Sequence, residues 1–133
     1  MTTSLATLVL DSEGLSAWIE EYRKVSSILD SAQRSKTDLV ISANTIIEVT
    51  HAGTNMPRLN WLLSQIKVEP VTEQTAKASA GLLCETGLHG HKYAIDATVA
   101  EAALRQPSPV GILTSDADDM RKLCGQKVRI FPL

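Results

Sequence analysis

The segment Val110-Gly111-Ile112-Leu113-Thr114-Ser115-Asp116 decides the fold, because it joins an apolar strand to the start of a helix. Its first part is a short apolar run with β-branched residues, which is typical of a buried strand. Asp116 is a residue type that favours the N-cap of a helix. The segment therefore predicts a strand that passes directly into a helix.

The rest of the chain repeats this alternation. Further apolar runs predict strands at residues 5–10, 39–41, 68–71 and 128–131. Apolar residues that recur every three or four positions predict helices at 15–33 (one long or two shorter), 43–50, 58–65, 72–87 and 95–103. Residues 87–92 are predicted as a loop, and Pro70 favours an edge position for the third strand. We therefore expect an α/β fold, with a parallel sheet of four or five strands and helices on both faces.

Length and composition indicate an ordinary globular chain. The sequence has 133 residues, of which 44% are hydrophobic and 21% charged, and it contains no internal repeat or linker. We expect residues 1–133 to form a single domain.

The charge balance and the aromatic content argue against a passive nucleic-acid-binding module. The 13 basic residues are outnumbered by 15 acidic ones, so no overall positive field attracts a polyanion. Two Trp, two Tyr and one Phe are too few for a continuous platform on which bases stack. Trp18 and Trp61 fit helical apolar stripes and are expected in the core or in a dimer interface.

The sequence predicts a cytoplasmic location. Residues 1–11 lack the basic start of a secretory signal, and no apolar stretch is long enough to cross a bilayer. Cys84 and Cys124 fall in predicted helices without paired spacing, so both are expected to be buried, reduced thiols. His89 and His91 lie near Cys84, but a structural zinc site needs four compactly spaced ligands, so we set a zinc site aside.

Four carboxylates follow the predicted strands: Asp11, Glu48, Asp96 and Asp116. Ligands of open parallel sheets bind at the carboxyl ends of the strands, so acids at these positions are candidates for chemistry. Taken by itself, Asp116 is better explained by helix capping, Asp11 could also be a cap, and a helix start at residue 95 would explain Asp96. Glu48 is harder to explain, because Ile47 and Val49 flank it and an unpaired buried carboxylate costs several kcal/mol. Gathered carboxylates need protons or a hard cation such as Mg²⁺ to neutralise them.

These residues resemble the PIN-domain family, and within it the VapC-type toxin ribonucleases of bacterial toxin–antitoxin pairs. The resemblance covers essentially the whole chain and rests on residues 8–11, Glu48, 95–97 and 113–119. The Thr-Ser-Asp-x-Asp-Asp cluster of 114–119, combined with an Asp after the first strand, is its most specific part. It implies a PIN-like three-layer sandwich.

The resemblance also implies roles for individual residues. Asp11, Glu48, Asp96 and Asp116 would form a catalytic acidic pocket, with Thr114 and Asp119 as auxiliary groups. Asp11 and Asp96 would bind Mg²⁺, or Mn²⁺ in its place, directly, with Asp116 as the third metal residue. Glu13 departs from the family, in which small residues usually follow the first Asp, and whether Glu13 or Asp118 joins the pocket stays open.

The implied activity is metal-dependent cleavage of RNA to a 3′-hydroxyl and a 5′-phosphate. The implied partners are RNA, a second copy of the chain and an antitoxin that occupies the RNA groove, and Lys92 is expected to contact an RNA phosphate at the mouth of the pocket. One alternative is a PIN-like protein without catalysis that serves in binding or regulation. Another is a receiver-like phosphoacceptor domain, for which Lys127 is poorly placed before the last strand.

Overall fold

The computed structural model describes residues 4–133. In order, its elements within that range are β1 (Thr7–Leu10), α1 (Ser12–Ile19), α2 (Arg23–Arg34), β2 (Asp38–Ser42), α3 (Ala43–Val49), α4 (Met56–Leu63), β3 (Lys67–Glu69), α5 (Glu73–Thr86), α6 (Gly90–Leu104), β4 (Val110–Thr114), α7 (Ala117–Cys124) and β5 (Arg129–Pro132). Residues 1–3, on which the expectation about a secretory signal partly falls, lie outside this range. No helix between residues 4 and 133 combines the length and apolarity needed to cross a bilayer.

The strands form one five-stranded sheet in the order β3-β2-β1-β4-β5, and each neighbouring pair is parallel. In the register of the central pair, Leu10 lies opposite Leu113. The carboxyl ends of all five strands therefore meet at one edge of the sheet. The strand order differs from the 2-1-3-4-5 order of receiver domains, which rules out the receiver-like alternative.

Helices cover both faces of the sheet, which confirms the expected three-layer sandwich. Successive side chains of a strand point to opposite faces, so Leu8 and Leu10 of β1 pack with α1 to α4, whereas Val9 packs with α6 and α7. All residues of β1 and β4 are buried. This burial explains why both strands read as continuous apolar runs in the sequence.

The long apolar stripe at 15–33 forms two helices. The chain turns between α1 and α2 at Glu21, which has a positive φ of 60°. The Arg58 side chain of α4 donates hydrogen bonds to the carbonyls of Trp18 and Ile19, which satisfies the free end of α1. β3 lies at an edge of the sheet, as predicted, and α5 ends at Gly87 in a left-handed conformation, also as predicted.

The loop predicted at 87–92 is wrong from residue 90 onward, because α6 begins at Gly90. His91 and Lys92, in the first turn, are exposed and lack the apolar spacing that marks the buried part of the helix. Asp96 is consequently the seventh residue of α6. The helix dipole acts within the first turn, so it does not explain a carboxylate at this position.

The cysteines differ in burial. Cys124 is buried, as expected, and burial raises the pKa of its thiol to about 12. The expectation was wrong for Cys84, which is exposed on α5. The two tryptophans differ as well, since Trp18 belongs to the core and Trp61 is 59% exposed on α4.

Candidate active site

Asp11, at the carboxyl end of β1, is fixed from two sides. Its Oδ1 accepts a hydrogen bond of 2.8 Å from the backbone N–H of Gly14, and its Oδ2 accepts one of 3.1 Å from the N–H of Ser115. The first bond caps α1, so the capping interpretation of Asp11 is correct. A Cβ atom at residue 14 would lie 3.2 Å from the Leu113 carbonyl oxygen, so the backbones of α1 and β4 approach closely here.

Asp116, after β4, occupies the N-cap position of α7, but its carboxylate accepts no capping hydrogen bond. Its backbone N–H donates instead to the hydroxyl of Thr114, at 2.9 Å. Thr114 is fully buried, and its hydroxyl also hydrogen-bonds Asp11, which lowers the pKa of that carboxyl. Capping by the side chain therefore does not account for the Asp116 carboxylate, which is exposed.

The predicted acids converge on one cavity of about 570 Å³ at the carboxyl edge of the sheet. The acids that line it are Glu13, Glu48, Asp96, Asp116 and Asp119. Asp11 is 3% exposed and does not line the cavity, but its charge reaches Asp96. Asp118 pairs with Arg121 at 3.2 Å and lines an adjoining cavity of about 410 Å³, whose wall also includes Asp116 and Asp119. Of the two acids left open by the sequence, Glu13 therefore lies in the wall of the main cavity and Asp118 beside it.

The electrostatics of the cavity centre on Asp96. Partial burial raises the pKa of Asp96 to about 7, and four acids add to the rise by charge repulsion: Asp116, Glu48, Asp11 and Asp119. Burial also raises the pKa of Asp11, against the opposing effect of its hydrogen bonds from Thr114, Gly14 and Ser115. Both shifts have the direction expected when carboxylates crowd together without a compensating cation.

Glu48 reaches this cavity from α3, but not for the reason that the sequence suggested. Its apolar neighbour Ile47 is 70% exposed, and Glu48 is itself exposed rather than buried among apolar side chains. The burial argument for Glu48 was therefore wrong. Its location in the cavity wall and its charge near Asp96 support a functional role on other grounds.

A hydrogen bond between two hydroxyl groups joins the end of β2 to α6 near Asp96. Ser42, at the end of β2, hydrogen-bonds the Thr98 hydroxyl at 3.3 Å, and Thr98 donates to the carbonyl of Ile95 at 2.7 Å. Both hydroxyl residues are buried. Thr45, also buried, has no hydrogen-bond partner for its hydroxyl among residues 4–133.

The donor set suits a hard cation that keeps much of its water. Between residues 4 and 133, no three Asp, Glu, His or Cys side chains form a ready-made group that could hold a metal ion. Mg²⁺ is usually bound by one or two carboxylates, with water and phosphate oxygens completing its shell, so such a group is not required. The cavity supplies carboxylates and room for water, which fits Mg²⁺.

The α6 side of the cavity carries the groups that are not acidic. Lys92 is exposed and lines the cavity, with its Nζ 5.2 Å from the centroid of the Tyr93 ring. His91 lines the same wall. Sequence reasoning missed Tyr93, and the available signal was its spacing, since it lies three residues, or about one helical turn, before Asp96.

Comparison with solved structures shows the same architecture. The chain resembles VapBC2 from Rickettsia felis bound to a promoter DNA fragment, with a TM-score of 0.71, 14% identity and coverage of 96% of this chain and 98% of that chain. The fold is PIN-like. A toxin–antitoxin complex from Klebsiella pneumoniae gives a TM-score of 0.70 at 17% identity, with 95% and 99% coverage. FitAcB from Neisseria gonorrhoeae gives 0.59 at 18% identity, with 93% and 96% coverage.

The PIN-like fold is thus shared across nearly the whole of this chain and of each similar chain. The sequence matches no protein-family model and no curated protein. With identities between 14% and 18%, the likeness concerns architecture, and the roles of the acids depend on their own geometry.

Proposed function

We propose that this protein is a Mg²⁺-dependent endoribonuclease that acts as the toxin of a type II toxin–antitoxin pair. The observation that carries the proposal is the convergence of the charges of Glu48, Asp11, Asp116 and Asp119 on Asp96, at the wall of an open cavity. Like charges at this density destabilise a folded protein unless a cation neutralises them. A PIN-like fold with this cavity at the carboxyl edge of its sheet is consistent with a nuclease.

Asp11, Asp96 and Asp116 are the residues proposed to hold the metal. When bound, Mg²⁺ activates a water molecule and stabilises the charge that develops on the phosphodiester. Asp11 is held in place by the N–H groups of Gly14 and Ser115, just behind the wall of the cavity. Asp96 has a pKa of about 7, so it must give up its proton to bind a cation near neutral pH. Mn²⁺ is expected to substitute, because it accepts the same oxygen ligands.

The other cavity residues are proposed to assist cation binding or to contact the substrate. Glu48 and Asp119 place further negative charge around the metal position and favour cation binding. Lys92, exposed at the rim, is proposed to contact an RNA phosphate. The products would be a 3′-hydroxyl and a 5′-phosphate.

The proposed partners are an antitoxin and a second copy of the chain, in the cytoplasm. The architectural likeness to a toxin–antitoxin complex from Klebsiella pneumoniae supports the antitoxin. Two large apolar side chains, Ile47 on α3 and Trp61 on α4, are exposed and available for contact with a protein partner.

The test is cleavage of a mixed RNA pool by the purified protein in Mg²⁺, Mn²⁺ or EDTA. We expect cleavage in either metal and none in EDTA, and we expect Asp96→Asn to reduce the rate by roughly 10³-fold or more. Asp30→Asn is the matched control, because Asp30 is an exposed acid on α2 that lines neither this cavity nor the adjoining one, and it should retain the wild-type rate. Equal activity of Asp96→Asn and wild type would contradict the assignment.

A PIN-like binding or regulatory protein without catalysis is the alternative. The likeness to the solved structures concerns the fold, which such a protein would share. It predicts no cleavage in any metal, together with unchanged partner binding by Asp96→Asn.

A further inference from the structure

An apolar groove of about 520 Å³ lies between α2 and β5, on the face of the sheet that carries α1 to α4. We call it the α2–β5 groove. The acids of the candidate active site do not line it, so it is a separate surface. Its apolar lining consists of Leu5, Leu8, Ile28, Ala32, Leu113 and Phe131.

The topology of the sheet explains why this groove is open. The chain passes from β1 to β2 and β3 through α1 to α4 on this face, whereas α7, which links β4 to β5, packs on the other face. On this face α2 packs against β2. Packed helices lie about 10 Å apart and adjacent strands about 4.8 Å apart, so a helix beside α2 would lie over β4, two strands away. The α2–β5 groove is therefore at the position where a further helix of this layer would lie.

The floor of the groove is preformed. A Cβ atom at Gly111 would lie 2.6 Å from the ring of Phe131 and 2.8 Å from the side chain of Leu5, so both side chains pack directly on β4. Phe131 and Ile28, on opposite walls of the groove, still expose 38% and 37% of their surface. A ligand with an apolar face would remove this surface from water, which favours binding.

Cationic side chains border the groove at the amino ends of the strands. α2 ends there, just before β2, and β5 begins there. Arg129 is two residues before Phe131 on β5, so the two side chains point to the same face of the sheet. The cations at this end form no ion pair within residues 4–133. They are Arg34 and Lys36 after the groove wall of α2, and Lys127 and Arg129 at the start of β5.

The acids nearby do not neutralise this end of the groove. Asp30 follows Ile28 by two residues, which places it about 200° further around α2 and away from the groove. Asp38 alternates with Leu39 on β2 and points to the same face as Val40, which belongs to the other side of the sheet. Glu13 and Glu20 line a cavity with Lys24 at the opposite end of α2, where they balance that lysine. The net positive charge is therefore concentrated at the amino end of the groove.

We propose that the α2–β5 groove binds a helix of a protein partner, with an apolar stripe that is flanked by acidic residues. The apolar side chains of that helix, at i, i+3, i+4 and i+7 spacing, would lie between Ile28 and Phe131. Its carboxylates would face Arg34 and Arg129. Within residues 4–133, Phe131 is the one aromatic side chain that lines the groove, which disfavours a nucleic acid. The proposal goes beyond the ribonuclease function and does not depend on it.

The experiment measures binding of a labelled synthetic helix to the full-length protein by fluorescence anisotropy. The probe is a peptide of about 18 residues, or five helical turns, with leucine on one face and glutamate on either side of it. One reference peptide has lysine in place of glutamate, and a second has the residues of the probe in scrambled order. We expect the probe to bind at least about tenfold more tightly than either reference, because it alone matches both the apolar floor and the cations. Equal binding of the three peptides would overturn the proposal.

Variants of α2 test whether the probe occupies the groove. Ser31→Glu places a carboxylate in the groove wall at an exposed helical position, and we expect it to weaken binding of the probe by about tenfold. Gln33→Glu is the matched control, because it adds the same charge at an exposed position of α2 that does not line the groove. Ile28→Ala should weaken binding by a similar factor, since it removes one apolar wall, whereas Ile47→Ala on α3 should not.

Charge reversal tests the cations. Arg34→Glu and Arg129→Glu should each weaken binding of the glutamate peptide by at least about fivefold and strengthen binding of the lysine peptide. Arg23→Glu is the matched control, because Arg23 is an exposed arginine at the opposite end of the same helix, and it should have little effect. If Arg34→Glu and Arg129→Glu bind both peptides as wild type does, the charge complementarity is wrong and the proposal is overturned.

Three further measurements separate this partner from other occupants. If phosphatidylserine vesicles bind the protein, lose binding to Ser31→Glu and exclude the probe, the groove is a membrane contact and the proposal is overturned. If a labelled single-stranded RNA does so instead, the proposal is likewise overturned. If wild type is a dimer in size-exclusion chromatography and Ser31→Glu a monomer, a second copy fills the groove, which also overturns it.

Failure of this inference is distinguishable from failure of the proposed function. Asp96→Asn should bind the probe as wild type does, because Asp96 does not line the groove. Ser31→Glu should retain the wild-type rate of RNA cleavage, because Ser31 lines the groove and not the acidic cavity. Binding of the probe without cleavage of RNA would leave the groove standing and the nuclease refuted, and the reverse result would refute the groove alone.

Discussion

Carboxylates lie at the carboxyl ends of several strands of the sheet. One group of them is paired with cationic side chains, and the other is not. At the end of β3, Glu69 is 6% exposed and pairs with Lys67 at 3.2 Å and with Arg105, the C-cap residue of α6. Arg105 also pairs with Glu101 one turn before it, at 3.0 Å. At the ends of β1 and β4, Asp11 and Asp116 have no such cation between residues 4 and 133.

The comparison separates carboxylates that are paired within the chain from carboxylates that are not. The group around Glu69 is neutralised within the chain and links the edge strand to the end of α6. The acids around Asp96 repel one another, and their charge is left for a ligand to neutralise. The acids proposed to function are therefore singled out by the lack of a cationic partner within residues 4–133, and not by position at the carboxyl edge of the sheet alone.

Breaking the paired group should have the largest effect on stability. Glu69→Gln leaves Arg105 and Lys67 without their buried partner, and we expect it to lower the free energy of unfolding by about 2–4 kcal/mol. Chemical denaturation measures this change. Glu73→Gln is the control, because Glu73 pairs with Lys77 in full solvent, and it should leave stability nearly unchanged. A small loss at Glu69 would show that its pairing is not structural.

Removing a charge from the unpaired acids around Asp96 should raise the free energy of unfolding instead of lowering it. Asp96→Asn relieves repulsion in the metal-free protein, and after allowance for its partial exposure we expect a gain of about 1–2 kcal/mol at pH 8. The melting temperature in EDTA should rise accordingly. A fall for both Asp96→Asn and Asp116→Asn would make these acids structural.

The same repulsion should appear as a dependence on pH. The pKa of Asp96 is about 7 in the folded protein and 3.8 in the unfolded chain, so the folded state binds the proton more tightly between these values. The stability of metal-free wild type relative to Asp96→Asn should therefore fall as pH rises from about 4 to about 7, and level off above. Paired denaturation curves across this range measure it, and a flat difference would contradict the shifted pKa.

Addition of Mg²⁺ should have the smallest effect. A ligand at ten times its dissociation constant stabilises the folded state by about 1.4 kcal/mol. We expect this rise in wild type above pH 7 and its loss in Asp96→Asn, whereas Glu69→Gln should retain it. A Mg²⁺ response that survives in Asp96→Asn would place the cation elsewhere.

The sequence alone was sufficient to predict the parallel sheet and the location of two of the acids at its carboxyl edge. The buried strands are continuous apolar runs, and Asp11 and Asp116 follow them directly, so the parallel sheet places both at one edge. The start of α6 could not be found, because its first turn is exposed and has no apolar spacing. The pairing of Glu69 with Arg105 joins residues 36 positions apart and depends on how α6 packs against β3.

Asp11 accepts hydrogen bonds from two parts of the fold, so its replacement should affect stability differently from that of Asp96. Asp11 caps α1 and binds the turn after β4, so its loss would loosen two elements together with any catalysis. Asp96 makes no such hydrogen bond to residues 4–133, and its replacement should strengthen the metal-free fold. In a related protein that no longer cleaves RNA, Asp96 could therefore be replaced without loss of stability, whereas Asp11 would be retained. An aspartate after the first strand is by itself a poor guide to which related proteins are enzymes.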